Sequence, residues 1–194
     1  MSDDTGIERG PDGKPRCRWG LSAPEYLSYH DREWGRPLHG ETELFERLTL
    51  EAFQSGLSWL TILRKRENFR RAFDGFDIER IAEYGAKEVK RLLSDAGIVR
   101  NRKKVEAAIT NAKAARAMRA NGETLDELIW GFAPDEPRPA PATFADLEPT
   151  TPESKALAKE LKRRGFVFVG PTTVYATMEA IGVVNDHLAS CAFR

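Results

Sequence analysis

Apolar positions recur every three or four residues along most of the chain, which is the spacing of amphipathic helices. In the segment 41–55, Leu44, Leu48 and Glu51 share one helical stripe. Gly56 follows as a natural end of that helix. Further helices are predicted after the N-cap residues Ser58 and Asp77, over 86–95, 101–120 and 125–132, from 152 to 164, from 171 to 182, and over 186–191.

A few stretches lack this pattern. Residues 1–16 are polar and rich in Gly and Pro, and we expect a flexible tail there. Six of the eleven prolines fall between 134 and 152, which predicts a connector along the surface. The aromatic stretch before residue 41 is irregular, and 166–169 is the only strand-like run. The pattern predicts an all-α fold in which residues 17–194 form a single domain.

Composition narrows the class of protein. The 194 residues are 41% hydrophobic and 31% charged, as in an ordinary globular domain. No run approaches the roughly 18 apolar residues of a membrane span, and no apolar signal segment opens the chain, so we expect a cytoplasmic protein without a membrane partner. The net charge of zero disfavours a strongly basic nucleic-acid binder, but residues 64–119 hold 16 Lys/Arg against 8 Asp/Glu. That local excess permits a phosphate-facing surface.

Residues 92–105 suggest a helix–hairpin–helix. One amphipathic helix ends at Gly97, which we expect to adopt a positive φ, and Ile98 can fill the gap between the two helices. Unpaired N–H groups at the start of the second helix would suit a phosphate. An ordinary helical hairpin with a glycine C-cap explains the same pattern. Clustered cations favour sequence-independent DNA contact, and they are Arg100, Arg102, Lys103 and Lys104.

Most of the large aromatic residues with a polar atom lie near the N-terminus. Five of the eight Trp and Tyr residues fall between 19 and 59, which suits a pocket that stacks a flat ring as well as ordinary core packing. Glu51 lies among them on an inward stripe, where a carboxylate is costly without a partner. An arginine partner or partial exposure would explain it, and so would hydrogen bonds to a bound, electron-poor base. The five aromatics are Trp19, Tyr26, Tyr29, Trp34 and Trp59.

Both cysteines have a histidine nearby. Cys17 precedes His30, while His187 and Cys191 form an H-x3-C pair that one helical turn would place on the same face. Two unrelated buried thiols remain an alternative. Two Cys and two His make a closed tetrahedral zinc set without an open position, which predicts one structural Zn²⁺ joining the chain ends. His39 is not expected to take part.

Together these residues closely resemble the 3-methyladenine DNA glycosylase I family of the helix–hairpin–helix glycosylase superfamily. The resemblance runs from Cys17 to about Cys191. Many members of the wider superfamily carry an Asp on the helix after the hairpin; segment 101–120 has none, as in the 3-methyladenine group. The matching runs are 17–19, 26–35, 56–59, 65–69, 95–98, 163–166, 168–170 and 184–187.

The resemblance implies roles for these residues. Glu51 would recognise the damaged base, Tyr29 would hydrogen-bond it and Trp59 would stack on it. Leu57 would probe the gap left in the duplex. The remaining expected roles are pocket walls for Trp19, Tyr26 and Trp34, zinc ligation by Cys17, His30, His187 and Cys191, and DNA anchoring by the 97–104 hairpin.

The implied activity is monofunctional removal of 3-methyladenine from double-stranded alkylated DNA by a monomeric enzyme. The nucleotide would be flipped out, and free base and an abasic site would result. Two other classes remain open. A non-enzymatic DNA-binding module would not need Glu51, and a zinc hydrolase would need an open metal position.

Overall fold

The computed structural model describes residues 5–194, so the first four residues of the predicted tail lie outside it. The described chain is mostly helical, with one short hairpin. The hairpin is formed by β1 (Ile7–Arg9) and β2 (Pro15–Cys17). The helices are α1 (Pro24–Arg32), α2 (Glu41–Gln54), α3 (Trp59–Ala72), α4 (Ile78–Ala82), α5 (Ala86–Ser94), α6 (Arg102–Ala120), α7 (Leu125–Trp130), α8 (Pro152–Arg163) and α9 (Pro171–Ala180).

The predicted helix starts are confirmed by their caps. Ser58 accepts a hydrogen bond from Thr61 N at 3.3 Å and begins α3. Asp77 caps α4 in the same way, and Asn101 caps α6 by accepting from Lys104 N at 3.2 Å. Each side-chain oxygen satisfies one N–H group that the first helical turn leaves unpaired. These local signals set where the helices begin.

Helix α2 runs through the middle of the core. Ten of its fourteen residues are buried, and it packs against α3, α6, α7 and α9. The rings of Phe53, Phe69 and Phe73 pack against one another, with centroids 4.8 Å apart for the first pair and 5.8 Å for Phe53 and Phe73. The first turn of α2 is exposed, but from Leu44 to Phe53 the helix is enclosed, so a polar side chain there lies away from bulk solvent. This makes the carboxyl of Glu51 energetically demanding.

The N-terminal stretch differs from the prediction. The sequence predicts a flexible tail over 1–16, but Ile7 pairs with Cys17 across an antiparallel hairpin. The guanidinium of Arg16 is buried, and it donates to Asp12 at 2.5 Å and to Asp31 at 2.8 Å. The pair with Asp12 lies within the hairpin, and the pair with Asp31 fixes the hairpin to α1, which lies in a stretch predicted to be irregular. A pattern of apolar spacing cannot reveal order that depends on buried charge pairs.

Two further predictions are wrong. Residues 166–169 form a loop and not a strand. Phe168 has a φ of 56°, and the side chain of Asn111 hydrogen-bonds to both the N–H and the C=O of Val167, which a strand partner would otherwise use. Residues 186–191 form turns and no helix; Cys191 N donates to Leu188 O at 2.8 Å. Within residues 5–194, no helix has both the length and the apolar character needed to cross a bilayer.

Candidate functional site

A cavity of about 280 Å³ opens between α1, α2, α3 and α9. All five aromatics predicted from the N-terminal stretch line it, and so does Glu51. The structure therefore brings together these six predicted residues, which are up to 40 positions apart in sequence. The lining residues are Trp19, Tyr26, Tyr29, Trp34, Glu51, Gln54, Trp59, Ala176 and Glu179.

The aromatic walls hold one another in place. The ring of Trp19 meets Tyr26 edge-on at 5.5 Å and Trp34 edge-on at 5.0 Å between centroids. Tyr29 is tilted against Trp59 at 5.4 Å, and the hydroxyl of Tyr26 accepts a hydrogen bond from Leu60 N at 2.8 Å. The indole N–H of Trp59 is buried without a partner. Rings fixed in this way can stack on a flat, apolar-faced ligand without losing much side-chain freedom.

Glu51 is an acidic residue in an otherwise mainly aromatic part of the pocket, and its surroundings are unusual for a carboxyl group. It is 5% exposed, and its Oε2 atom is buried without a hydrogen-bond partner. The arginine partner considered from the sequence is absent, because Arg47 donates to Glu33 instead and only its electrostatic attraction reaches Glu51. Burial raises the pKa of Glu51 from 4.5 to about 8, against the smaller opposing effect of Arg47. In the free protein at neutral pH the group is therefore mostly protonated.

Sequence reasoning missed three lining residues. Gln54 lies one turn after Glu51 on α2, so the stripe that located Glu51 could have located it as well. Ala176 and Glu179 are three residues apart and share one face of α9. Nothing in the sequence indicates that this face meets the N-terminal aromatics, more than 100 residues away. Burial, Asp186 and Glu51 together raise the pKa of Glu179 well above its usual value.

Cys17, His30, His187 and Cys191 form one buried cluster whose candidate ligand atoms lie within 4.8 Å of one another. The sulfur of Cys191 is 3.4 Å from His187 Nδ1 and 3.6 Å from His30 Nε2, and Cys17 Sγ is 3.9 Å from His187 Nδ1. A tetrahedral ion with ligand bonds of about 2.0–2.3 Å places neighbouring ligands roughly 3.5 Å apart. The cluster therefore could hold a metal ion. His39 lies elsewhere and pairs with Asp126 at 2.9 Å.

The surroundings of the cluster orient its donor atoms. His30 Nδ1 is 2.8 Å from Asp31 Oδ1, and His187 Nε2 is 3.0 Å from Trp34 O, which leaves the opposite ring nitrogens free for an ion. Such outer hydrogen bonds typically fix the tautomer of a ligating histidine. Hydrogen bonds from the Cys17 thiol, and then from His187 and His30, hold the pKa of Cys191 well below its usual value. A thiolate is the form that binds metal.

The hairpin at 95–101 contains a buried isoleucine and a glycine whose backbone differs from the prediction. Ile98 is 3% exposed and joins the core, as expected of a residue filling the gap between two helices. Gly97, however, does not have a positive φ. Its need for glycine comes from crowding, because a Cβ there would lie 2.9 Å from Asp95 Oδ1 and 3.2 Å from Asn68 Cβ. The closer contact is within the turn itself, where Asp95 also accepts a hydrogen bond from Gly97 N at 2.7 Å, and the packing of α3 adds to it.

The four predicted hairpin cations do not share one environment. Arg100, Arg102 and Lys103 are exposed and accessible to a phosphate. Lys104 is 8% exposed, and its ammonium group donates to Phe53 O at 2.8 Å and Ser55 O at 2.6 Å. The prediction that Lys104 contacts DNA is therefore wrong. It satisfies carbonyl groups at the C-terminal end of α2, where a cation is favoured.

Exposed apolar side chains occur in two of the turns that join the described helices. Leu57 is 43% exposed in the turn between Gln54 and Trp59, both of which line the cavity. Val167 and Phe168 are 41% and 40% exposed in the loop between α8 and α9. This second pair of helices joined by a short loop was not singled out from the sequence. The Arg164-Gly165 and Gly170-Pro171 steps that flank its loop were the available signal.

Comparison with known proteins agrees with this geometry. The family model for methyladenine glycosylase matches residues 19–194. DNA-3-methyladenine glycosylase 1 of Escherichia coli (strain K12) is 45% identical over 177 residues, covering 91% of this chain and 95% of that protein. A crystal structure of 3-methyladenine DNA glycosylase I matches with a TM-score of 0.88 and 47% identity, covering 91% of this chain and 98% of that one.

A second similar solved structure contains a bound ligand. It is a single-substitution variant of 3-methyladenine DNA glycosylase I in complex with 3-methyladenine. It matches with a TM-score of 0.84 and 36% identity, covering 91% of this chain and 96% of that one. From the family match and these similarities, the chain belongs to the methyladenine glycosylase family.

Proposed function

We propose that this chain is a DNA-3-methyladenine glycosylase. It hydrolyses the N-glycosidic bond of 3-methyladenine in alkylated double-stranded DNA, releases the free base and leaves an abasic site. The observation that carries this proposal is a buried carboxyl oxygen without a hydrogen-bond partner, Glu51 Oε2, inside a pocket of five aromatic side chains. The family and its relatives act on the same damaged base.

The pocket selects a flipped base by shape and charge. Extrusion of the nucleotide allows the base to enter between the aromatic rings, where Trp59 stacks on it and Tyr29 contributes a hydrogen bond. Trp19, Tyr26 and Trp34 complete the walls. A cationic ring gains about 0.5–2 kcal/mol from an aromatic face that a neutral ring does not gain. Methylation at N3 makes adenine cationic in DNA, so the lesion itself supplies the recognised charge.

Glu51 is the group that responds to that charge. In the free protein its raised pKa keeps it mostly protonated. A cationic base beside it favours ionisation, and the carboxylate then accepts hydrogen bonds from the base. Normal adenine brings no charge and leaves Glu51 protonated. Selectivity thus arises from a carboxyl that becomes a strong acceptor only when the damaged base is present.

The positive charge also weakens the bond between base and sugar, so a strong general acid is unnecessary. Water attacks the sugar as the base departs. No lysine lies among the lining residues of the described pocket, and we therefore propose a monofunctional enzyme that forms no Schiff base. Trapping of a covalent DNA adduct with borohydride would contradict this part of the proposal.

Cys17, His30, His187 and Cys191 would hold one Zn²⁺ with no open position. Zinc bound in this way supplies folding energy and no Lewis-acid chemistry to the substrate. It joins β2 and α1 to the C-terminal segment, and thereby supports the wall that carries Trp19 and Trp34. The alternative of a zinc hydrolase requires an open position, which four protein ligands do not leave.

DNA contact is assigned to the exposed part of the hairpin and to Leu57. Arg100, Arg102 and Lys103 surround the start of α6, which suits binding to phosphate without regard to sequence. Leu57, exposed in the turn between the lining residues Gln54 and Trp59, would enter the gap that a flipped nucleotide leaves. We propose a helix–hairpin–helix glycosylase that acts as a cytoplasmic monomer, as suits a repair enzyme with bacterial relatives.

A substitution separates this function from a DNA-binding module without catalysis. Glu51→Gln should abolish most base release while DNA affinity, measured on undamaged duplex, stays within about twofold of wild type, because Glu51 contacts only a flipped base. A binding module would show no base release in either form. Equal release by both forms would show that Glu51 does not recognise the base.

A further inference from the structure

Arg47 is a buried cation that lies behind the wall of the base pocket. It is on α2, one turn before Glu51, and it is 6% exposed. Its guanidinium lies over the ring of Tyr29, 5.6 Å from the centroid, and Tyr29 lines the cavity. Arg47 is not among the lining residues, so it can affect a bound base only through a neighbouring side chain.

One nitrogen of this guanidinium is paired and another is not. Nη2 of Arg47 donates to Glu33, whose carboxylate also accepts from Arg66 at 2.6 Å and 3.0 Å. Nη1 of Arg47 is buried without a hydrogen-bond partner. A buried donor on a charged side chain is costly when it stays unpaired. The free protein thus holds a cationic donor group whose hydrogen bond is not made.

The matching acceptor is on the same face of α2. Residues four positions apart are neighbours on a helix, and side chains lean toward the N-terminal end, so the carboxyl of Glu51 leans toward Arg47. Glu51 Oε2 is also buried without a partner. This atom is enclosed by the protein, which favours a protein group over a bound base as its partner. A buried, unpaired donor and a buried, unpaired acceptor therefore occupy adjacent turns of one helix.

The other ionisable groups that interact with Glu51 carry no positive charge. They are Tyr29 on α1 and Glu179 on α9. Burial raises the pKa of Glu51 to about 8, and the attraction of Arg47 is the effect that opposes it. Three cations on the helices packed against α2 contact other groups: Arg66 pairs with Glu33, Arg70 with Glu46, and Lys104 with the carbonyls of Phe53 and Ser55.

We propose that Arg47 is a positioning residue for the charged state of Glu51. When a cationic base enters and Glu51 ionises, releasing its proton to water, the free N–H group of Arg47 donates to Oε2 while Glu33 holds the other side of the guanidinium. The second carboxylate oxygen, Oε1, then accepts from the base. This inference rests on the proposed function, and it adds the group that balances the charge of the buried carboxylate.

Substitutions at the two ends of this arrangement should have opposite effects. Arg47→Met keeps a long side chain but removes the charge, so the pKa of Glu51 should rise. Glu33→Gln removes the anion that competes for Arg47, so the pKa of Glu51 should fall. Arg47→Lys keeps the charge and should stay close to wild type. Arg66→Met is the matched control, because it takes a cation from the same Glu33 carboxylate and leaves Arg47 in place.

The experiment measures kcat/KM for base release from methylated duplex DNA between about pH 6 and about pH 10. Wild type, Arg47→Lys and Arg66→Met should share the midpoint of the rise to within about half a pH unit. In Arg47→Met the midpoint should move up by about one unit, which lowers kcat/KM roughly tenfold at about pH 7 and restores it to within about threefold at the alkaline end. Glu33→Gln should move the midpoint down. Carbon NMR of the isotope-labelled free protein, with Glu51→Gln to assign the signal, follows the same carboxyl without activity.

A loss in Arg47→Met that is equal at every pH, with an unchanged titration of Glu51, would overturn the inference, because a residue needed only for folding does not move a pKa. An equal shift in Arg66→Met would overturn it as well. If Arg47→Met does not fold in a thermal melt, Glu33→Gln decides: a downward shift supports the inference, and an upward or absent shift contradicts it. Absence of 3-methyladenine release by wild type would instead contradict the proposed function, and the NMR titration would still test whether Arg47 acts on Glu51.

Discussion

The Glu51→Gln substitution should abolish most of the activity and yet make the folded protein more stable. In the unfolded chain Glu51 ionises near 4.5, whereas burial raises its pKa in the folded chain to about 8. Between these values the folded state holds a proton that the unfolded state has lost, so stability falls as the pH rises. At ~1.4 kcal/mol per pKa unit, the loss reaches roughly 5 kcal/mol once both states are ionised. Glutamine does not titrate and avoids this loss.

Urea unfolding of wild type and Glu51→Gln at about pH 5 and about pH 9 measures the effect. The advantage of the variant should be small at the lower pH and grow by several kcal/mol at the higher pH. Over the same range, kcat/KM of wild type should rise toward pH 8, because the free enzyme must ionise Glu51, while the variant stays low and flat.

Glu46 provides a control on the same helix. It is also buried, but Arg70 donates to its carboxylate at 2.8 Å, so Glu46→Gln should destabilise the protein at both pH values. A difference between wild type and Glu51→Gln that does not change with pH would refute the argument, since it would mean that Glu51 ionises normally in its pocket.

Three other predictions test the separate parts of the molecule. Removal of metal by a chelator, or Cys191→Ser, should lower the thermal midpoint before activity at low temperature is lost; activity loss without destabilisation would indicate a catalytic metal instead. Lys104→Met should destabilise folding by about 2–3 kcal/mol, because two carbonyl groups at the end of α2 lose a charged donor, and leave the salt dependence of DNA binding unchanged. Replacing Arg100, Arg102 and Lys103 by Gln should instead leave stability unchanged and reduce the slope of log affinity against log salt by about 0.9 for each phosphate that the variant no longer neutralises.

Much of the helical fold could be predicted from sequence signals that lie within a few residues of the feature they predict. The stripe of Leu44, Leu48 and Glu51 located a buried carboxyl because helical periodicity alone determines which positions share a face. Caps such as Ser58 located helix starts because the N–H groups they satisfy lie within one turn. In both cases the cause and the residue lie within a few positions of each other.

Predictions were wrong or incomplete where residues far away in sequence form the surroundings of a side chain. Lys104 belongs to a basic run in sequence, but the end of α2 lies beside it and takes its ammonium group. A positive φ was expected at Gly97, whereas the space for a side chain there is limited by Asp95 in the same turn and by Asn68 on α3. Glu179 was missed because only tertiary packing brings α9 to the aromatic stretch. A run of charged residues, or a single glycine, does not show which residues from elsewhere in the chain pack against it.

Release of base from methylated duplex DNA is the most direct test of the central claim. Wild type should liberate free 3-methyladenine and leave abasic sites that alkali cleaves, and Glu51→Ala should release far less while remaining folded. Release of no 3-methyladenine by the wild-type protein, under conditions in which it binds DNA, would contradict the account.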